Sequence, residues 1–285
     1  MIITLLIATI TLLLIVVIVM TADLCFLDVL NIEIARQCKF KNFYAGTENT
    51  PKVIDVVPEV RDLEDNFQQV RAEMQQVLAR KGDKIPQMTD VYNNIFVSKG
   101  SGAGKNVFVN FVAGMATQLI YGSDTEIFDR IGTKKWRTHN LIMFGHEIPG
   151  NMCPQTVKFL RQIPGVQSAL LSFIAPGTYI PPHSDPAKGV IRYHLALQVP
   201  ADREKCFIVV NGEKYCWTTG QSVLFDDAFE HWVRNDTDEE RVILFVDILR
   251  PLTGFANLLQ QIANLANKYH PGVRQAIRES AKHAT

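Results

Sequence analysis

Three short runs decide the fold: Ala169-Leu-Leu-Ser-Phe-Ile174, Tyr179-Ile-Pro-Pro-His183 and Ile191-Arg-Tyr-His-Leu-Ala-Leu-Gln-Val199. Each is bounded by turn residues and is too short for an ordinary helix, which marks it as a strand. Five more follow, at Cys206–Val210, Lys214–Trp217, Ser222–Asp226, His231–Arg234 and Arg241–Ile248. Short strands at this spacing predict a mostly β protein, an antiparallel double-sheet jelly roll (double-stranded β-helix), with helices flanking it. Along the third run Arg192 and His194 share one face, while Tyr193, Leu195 and Leu197 share the other. That strand is expected to have a cavity on one side and core on the other.

The chemistry clusters in the same stretch, around Pro182-His-Ser-Asp-Pro186. On an extended backbone His183 and Asp185 project from one face, as two ligands of one metal ion must. A second imidazole, His231, follows in Phe229-Glu-His-Trp232. Two imidazoles and one carboxylate with open positions suit the facial triad of a non-haem Fe(II) oxygenase better than a closed zinc site. Arg241 opens the apolar strand Arg241-Val-Ile-Leu-Phe-Val-Asp247. A buried arginine on such a strand calls for an anion, and its planar fork suits a carboxylate such as that of 2-oxoglutarate. Asp226-Asp227, at the end of Ser222-Val-Leu-Phe225, reads as a strand terminator whose carboxylates bond turn amides.

Four pieces, Ser172-Phe-Ile-Ala-Pro-Gly177, His183-Ser-Asp-Pro186, Arg192-Tyr-His-Leu195 and Phe225-Asp-Asp-Ala-Phe-Glu-His231 followed by Arg241, carry a likeness to a known family. From about Trp136 to Pro251 the chain resembles the aspartyl/asparaginyl β-hydroxylases, which are Fe(II)/2-oxoglutarate dioxygenases. Its pattern is most similar to the membrane-bound bacterial branch that hydroxylates acyl chains of lipid A. The resemblance implies metal ligation by His183, Asp185 and His231. It also implies that Arg241 and Ser172 hold the distal carboxylate of 2-oxoglutarate, with Arg192 and His194 near its other end. The animal protein hydroxylases of this family have glycine where this chain has Asp185, so the H-x-D leans toward a lipid substrate. Ser172 leans the other way, toward peptidyl aspartate or asparagine.

Lysine plus arginine and aspartate plus glutamate each number 29, and no long basic run occurs, which leaves no argument for nucleic-acid binding. The cysteines, Cys25, Cys38, Cys153, Cys206 and Cys216, are odd in number and form no C-x-x-C pair, against a disulfide scaffold or thiolate zinc site. Cys206 and Cys216 flank the Asn211-Gly212 hairpin turn. With Val210 facing Glu213, Cys216 faces Phe207 and the two thiols fall on opposite faces of the ribbon.

Residues Ile2 to Met20 are uncharged and nearly all apolar, close to the roughly 20 residues a membrane-crossing helix needs. A signal peptide would want a basic start and a shorter apolar core, so a retained anchor over residues 1–22 is expected. Arg36, Lys39 and Lys41 follow the span and none precedes it, which places the body in the cytoplasm. Residues 23–58 read as a juxtamembrane segment and linker, with an interfacial helix over Phe26–Phe43 and turns over Gly46–Pro51. Val60, Leu63, Phe67, Val70, Met74 and Val77 then form a helical stripe that ends at Arg80-Lys-Gly82 and packs on the sheet.

Lys99-Gly-Ser-Gly-Ala-Gly-Lys105 lacks the spacing of a phosphate-binding loop and reads as a glycine-rich flap. Val107 to Tyr121 is apolar enough to be buried or to lie on membrane. Trp136–Met143 reads as an edge strand, and Pro154 to Leu160 as a short helix with proline in its first turn. Past Pro251, Leu258, Leu259, Ile262, Leu265, Ala266 and Tyr269 form a stripe whose default role is core cover, in a helical tail over 253–285.

The dioxygenase domain is thus expected over 59–252, using iron, 2-oxoglutarate and O₂ on a membrane lipid or a peptide. A roll that keeps metal only for ligand binding is the alternative of another class.

Overall fold

The computed structural model describes residues 26–88, 135–185, 188–269 and 271–284. The chain runs through α1 (Phe26–Gln37), β1 (Phe43–Ala45), α2 (Val53–Val56), α3 (Arg61–Asp65) and α4 (Phe67–Lys81). Next come β2 (Trp136–Met143), β3 (His146–Glu147), α5 (Pro154–Leu160), β4 (Val166–Ile174), β5 (Thr178–His183) and β6 (Val190–Gln198). The last third holds β7 (Cys206–Val210), β8 (Glu213–Cys216), β9 (Ser222–Phe225), β10 (His231–Asn235), β11 (Arg241–Leu249), α6 (Gly254–Tyr269) and α7 (Pro271–Lys282).

All ladders are antiparallel, in a seven-stranded sheet ordered β1-β9-β6-β11-β4-β2-β3 and a four-stranded sheet ordered β5-β10-β7-β8. This is the expected double-sheet roll. The large sheet is buried on both faces. Tyr193, Leu195 and Leu197 of β6 join Leu244 and Val246 of β11 under the helical layer, where Val70, Met74 and Val77 of α4 pack. The alternate residues, Ala196, Ile243 and Phe225, face the four-stranded sheet and meet Ile208, Val210 and Val233. The period-two alternation therefore sorts each strand between a helix-side core and an inter-sheet space.

Two turns show why the chain bends where it does. Asn211 and Gly212 both take positive φ, 48° and 81°, the geometry of a two-residue hairpin turn, and Phe207 pairs with Cys216 as the register requires. Gly46 has φ of 89°, and a Cβ there would stand 2.5 Å from the Ser222 carbonyl oxygen. Only glycine lets β1 leave the sheet at that angle.

Short helix α5 has no side-chain cap of its own; Glu73, from the middle of α4, caps it instead. Its carboxylate accepts from the backbone N–H groups of Gln155 and Thr156 at 2.9 Å each and from the Thr156 hydroxyl at 2.6 Å. Glu73 is buried. Removal leaves three donors unsatisfied beneath the sheet, so Glu73→Ala should destabilise by about 2–3 kcal/mol. A chemical denaturation curve checks this, and a change below about 0.5 kcal/mol would mean that water replaces the cap.

Two sequence expectations need correction, and three others fall outside the described residues. Strand β2 is not an edge: two-residue β3 lies outside it, and six of its eight residues are buried. Its polar residues blurred the alternation because they are satisfied inside, His139 Nε2 on the Asn151 carbonyl at 2.6 Å and Asn140 on Ser280 Oγ at 3.1 Å. On α6, Leu259 and half-buried Ile262 pack inward with Ala256 and Ala263, but Leu258 and Leu265 are 52% and 60% exposed, so only part of the predicted stripe is core cover. No described helix is long and apolar enough to cross a membrane. The expected span over 1–22, the glycine-rich stretch 99–105 and the apolar run 107–121 lie outside the described residues.

Burial of His139 has a pH consequence. Desolvation holds its pKa below the ordinary value of 6.5, so the folded protein binds fewer protons there than the unfolded chain. Stability is full above about 6.5 and falls as pH drops below it. His139→Gln, which can still donate to Asn151, should flatten that fall. Thermal melts of metal-free protein between neutral and mildly acid pH compare the two slopes, and equal slopes would place the acid sensitivity elsewhere.

Candidate active site

His183 ends β5 and His231 opens β10, and the two are direct cross-strand partners. Their rings lie 4.2 Å apart between centroids, at 51°. Each Nδ1 sits against the carbonyl oxygen two residues back, His183 on Pro181 at 2.8 Å and His231 on Phe229 at 2.9 Å. An imidazole nitrogen at that distance from a carbonyl carries the proton, which makes Nε2 the lone-pair nitrogen in both rings. His231 is buried, and desolvation followed by its neighbour His183 holds its pKa well below the usual range. Neutral imidazoles oriented by backbone carbonyls are in the form that ligates metal.

Asp185 lies two residues beyond His183, and its N–H donates to the Asp227 carbonyl at 2.9 Å. Its Oδ2 is 3.4 Å from a terminal nitrogen of Arg192. The expected third ligand is thus turned toward an arginine, and among the described residues no three His, Cys, Asp or Glu side chains converge in metal-holding geometry.

The cause is a buried charge cluster around Arg192. Its Nε donates to Asp247 Oδ1 at 2.9 Å, and its terminal nitrogen lies 2.6 Å from Asp227 Oδ2. Arg192 and Asp247 are cross-strand partners on β6 and β11. Three carboxylates share one guanidinium, an excess of negative charge beside the two histidines. Burial accordingly pushes the Asp227 carboxyl up to about 7 against the pull of Arg192. Asp226 bonds the Ala228 amide at 3.1 Å, as a turn residue should, but is also fully buried in an ion pair with Arg250 at 2.5 Å. The turn reading of Asp226-Asp227 missed both ion pairs.

Arg241 contrasts with Arg192. It is 2% exposed, has no ion-pair partner among the described residues, and its Nε and Nη1 have no hydrogen-bond partner there. Its guanidinium lies 4.6 Å from the Trp217 ring, and burial lowers its pKa to about 10. Ser172 accepts a hydrogen bond from Trp136 Nε1 at 3.0 Å. His194 is enclosed by Phe225, Phe245 and Trp217, and neither of its ring nitrogens has a partner among the described residues. Burial, then Arg241 and Arg192, keep its pKa well below the usual range, so it is neutral.

One pocket between the sheets gathers six of the seven residues singled out from sequence: Ser172, His183, Arg192, His194, His231 and Arg241. Asp185 stands outside the lining. Trp136, Ile180, Phe225 and Phe245 are among the apolar side chains that complete the wall. Sequence reading missed Trp136, Trp217, Asp227 and Asp247 as site residues. Asp247 carried a signal, an acid in an apolar strand on the same alternation as Arg241; the tryptophans carried none. Chemically, the pocket pairs two metal-competent imidazoles with a buried cation that has no ion-pair partner among the described residues.

A double-sheet roll with such a pocket between its sheets defines a jelly-roll protein with a polar inter-sheet site. The matching family model, aspartyl/asparaginyl beta-hydroxylase, covers residues 64–251. The chain belongs to that family of hydroxylases. It is 32% identical over 228 residues to the ornithine lipid ester-linked acyl 2-hydroxylase of Rhizobium tropici, covering 78% of this chain and 69% of that protein. Over 128 residues it is 38% identical to aspartate beta-hydroxylase domain-containing protein 2 of Xenopus tropicalis, covering 41% of this chain and 34% of the relative. Human aspartyl/asparaginyl beta-hydroxylase matches at 35% over 103 residues, 34% of this chain and 13% of that protein. A cupin domain of an XRE family transcriptional regulator from Enterobacter cloacae overlays at TM-score 0.29 and 15% identity, covering 41% of this chain and all 100% of that one, too loosely to inform the site.

Proposed function

We propose that the protein is a membrane-anchored Fe(II)/2-oxoglutarate-dependent hydroxylase acting on an acyl chain of a membrane lipid, at the carbon beside the acyl carbonyl. The observation that carries the cofactor reading is Arg241, a buried guanidinium whose Nε and Nη1 have no partner among the described residues, in the same pocket as two carbonyl-oriented imidazoles. A buried cation without a counter-ion is costly, and the carboxylate of a keto acid would supply what is missing.

His183, His231 and Asp185 would hold the metal. The cluster's negative charge favours a cation there, and Arg192 supplies the hold from which Asp185 turns. Bound with 2-oxoglutarate, Fe(II) would activate O₂, the oxidant, which takes two electrons from the keto acid, giving succinate and CO₂, and two from the substrate C–H bond, leaving one oxygen atom in the new hydroxyl. The chain's own part is positional. Arg241 and the Ser172 hydroxyl bind the distal carboxylate, and the Trp217 face stacks on the guanidinium and fixes its fork. Neutral His194 adds no positive charge beside the arginine, while Phe225, Phe245 and Ile180 exclude water.

The acyl-chain reading is supported by the relative from Rhizobium tropici, which matches more of this chain than the animal relatives do. Lipid A-type and ornithine-lipid acyl chains are the substrates to test. Peptidyl aspartate or asparagine is the second reading, favoured by the 38% identity to the animal protein over 128 residues. The full chain in vesicles, given Fe(II), ascorbate, 2-oxoglutarate and O₂, should release succinate, faster with acyl lipid than with Asp or Asn peptide and not at all with chelator. Peptide stimulation alone would select the second reading. Absence of succinate with every substrate, from folded iron-loaded protein, would leave a binding module.

A further inference from the structure

Large apolar side chains exposed on the described surface are Ile32, Val56, Tyr179, Phe255, Leu258 and Leu265, at 41% to 60% exposure. Half of them lie on α6, where steps of three, four and three from Phe255 through Leu258 and half-buried Ile262 to Leu265 make one stripe. The neighbouring face of α6 is already used: Ala256, Leu259 and Ala263 pack on Ile34 of α1. Helix α6 contains no acidic residue, and its one charged residue is Lys268 in the last turn. The apolar, uncharged sequence Ile2–Met20 ends six residues before α1 begins at Phe26, and α1 carries the exposed Ile32.

An exposed apolar stripe on a surface helix without acidic residues suits a helix that lies against a bilayer interface. The chain that feeds α1 comes straight from a bilayer-length apolar sequence. We propose that the α6 stripe, with Ile32 of α1, docks on the lipid bilayer itself. These two helices also grip the segment that follows the His183-Ser-Asp185 motif. The Lys188 N–H donates to Asn31 Oδ1 of α1 at 3.1 Å, and Gln260 Nε2 of α6 donates to the Gly189 carbonyl at 2.9 Å. Docking therefore sets this side of the pocket at the membrane surface, and only the identity of what enters there rests on the acyl-chain reading above.

The test uses the full chain in vesicles of phosphatidylcholine and phosphatidylglycerol, with p-benzoylphenylalanine replacing Phe255, Leu258 or Leu265 in turn. Tyr179, an exposed aromatic outside the stripe, is the control. Irradiation is expected to give lipid adducts at all three stripe positions and none at Tyr179. Adducts with a second copy, adducts with the chain's own residues 1–22, or no adducts would each overturn the proposal. In the doubly substituted L258E/L265E protein, substrate-free succinate release should persist while turnover of bilayer-embedded acyl lipid falls about tenfold or more. Undiminished lipid turnover would count against docking. Lipid adducts in a protein that oxidises no lipid would leave docking standing and sink the acyl-chain reading instead.

Discussion

Arg241→Met is expected to melt at a higher temperature than the parent protein when 2-oxoglutarate is absent, while its demand for 2-oxoglutarate rises steeply. The side chains are similar in volume, and the native guanidinium is buried on Trp217 without a counter-ion among the described residues. Replacing a buried ion pair by packed apolar groups is often stabilising by about 1–4 kcal/mol, and a gain of that order is expected where the buried charge has no partner to lose. Loss of the carboxylate's fork should cost about 2–5 kcal/mol of binding, a rise of roughly 30-fold to several thousandfold in the 2-oxoglutarate needed for half-maximal rate. Calorimetry of metal-free protein and a 2-oxoglutarate titration of succinate release read the two effects separately. An unchanged requirement would remove the co-substrate from Arg241, and a lowered melting temperature would show that the arginine is already matched.

His231→Ala is expected to lower succinate release to the level of chelator-treated protein, a loss of at least about three orders of magnitude. His183→Ala should behave alike, because the two imidazoles face each other across one register step and neither replaces the other. Asp185→Asn should be milder in metal content, since that carboxylate contacts Arg192 in the structure. Metal content after gel filtration and succinate release together check these expectations. Iron-dependent turnover surviving in His231→Ala would refute its assignment as a ligand.

The eight strands β4 to β11 were legible because alternation and turn chemistry agreed there, whereas β1 and β3 were not foreseen, and the Asn211-Gly212 hairpin even settled which faces Cys206 and Cys216 occupy. Strand β2 was misplaced at an edge because Thr138, His139 and Asn140 are buried polar residues whose partners, Met88, Asn151 and Ser280, are distant in sequence. On α6, periodicity showed an apolar face but not which neighbour would cover it, since Leu258 and Leu259 both fit a stripe. The site residues were legible as types at fixed spacing. The coupling of Arg192 to Asp185, Asp227 and Asp247 was not, because it depends on which strands become neighbours in the sheet. Trp217 was invisible for the same reason: a cation over its ring requires the start of β11 in one sheet to lie against the residue that follows β8 of the other.

Strand β1 and helix α1 have a practical meaning for anyone preparing the protein without its apolar first residues. Strand β1 completes one side of the large sheet on β9, with Phe43 opposite Phe225, whose ring lines the pocket. Asn42 ties into the hairpin through Asn211 and Glu213, Tyr44 sits on the Asp226–Arg250 pair, and Asn31 reaches Lys188. A version shortened to begin at Val53 would bare the β9 backbone as a sticky margin and loosen the Lys188–Gly189 turn. The start codon for soluble expression belongs ahead of Phe26, and a shorter product that precipitates would reflect a lost sheet margin rather than an intrinsically intractable enzyme.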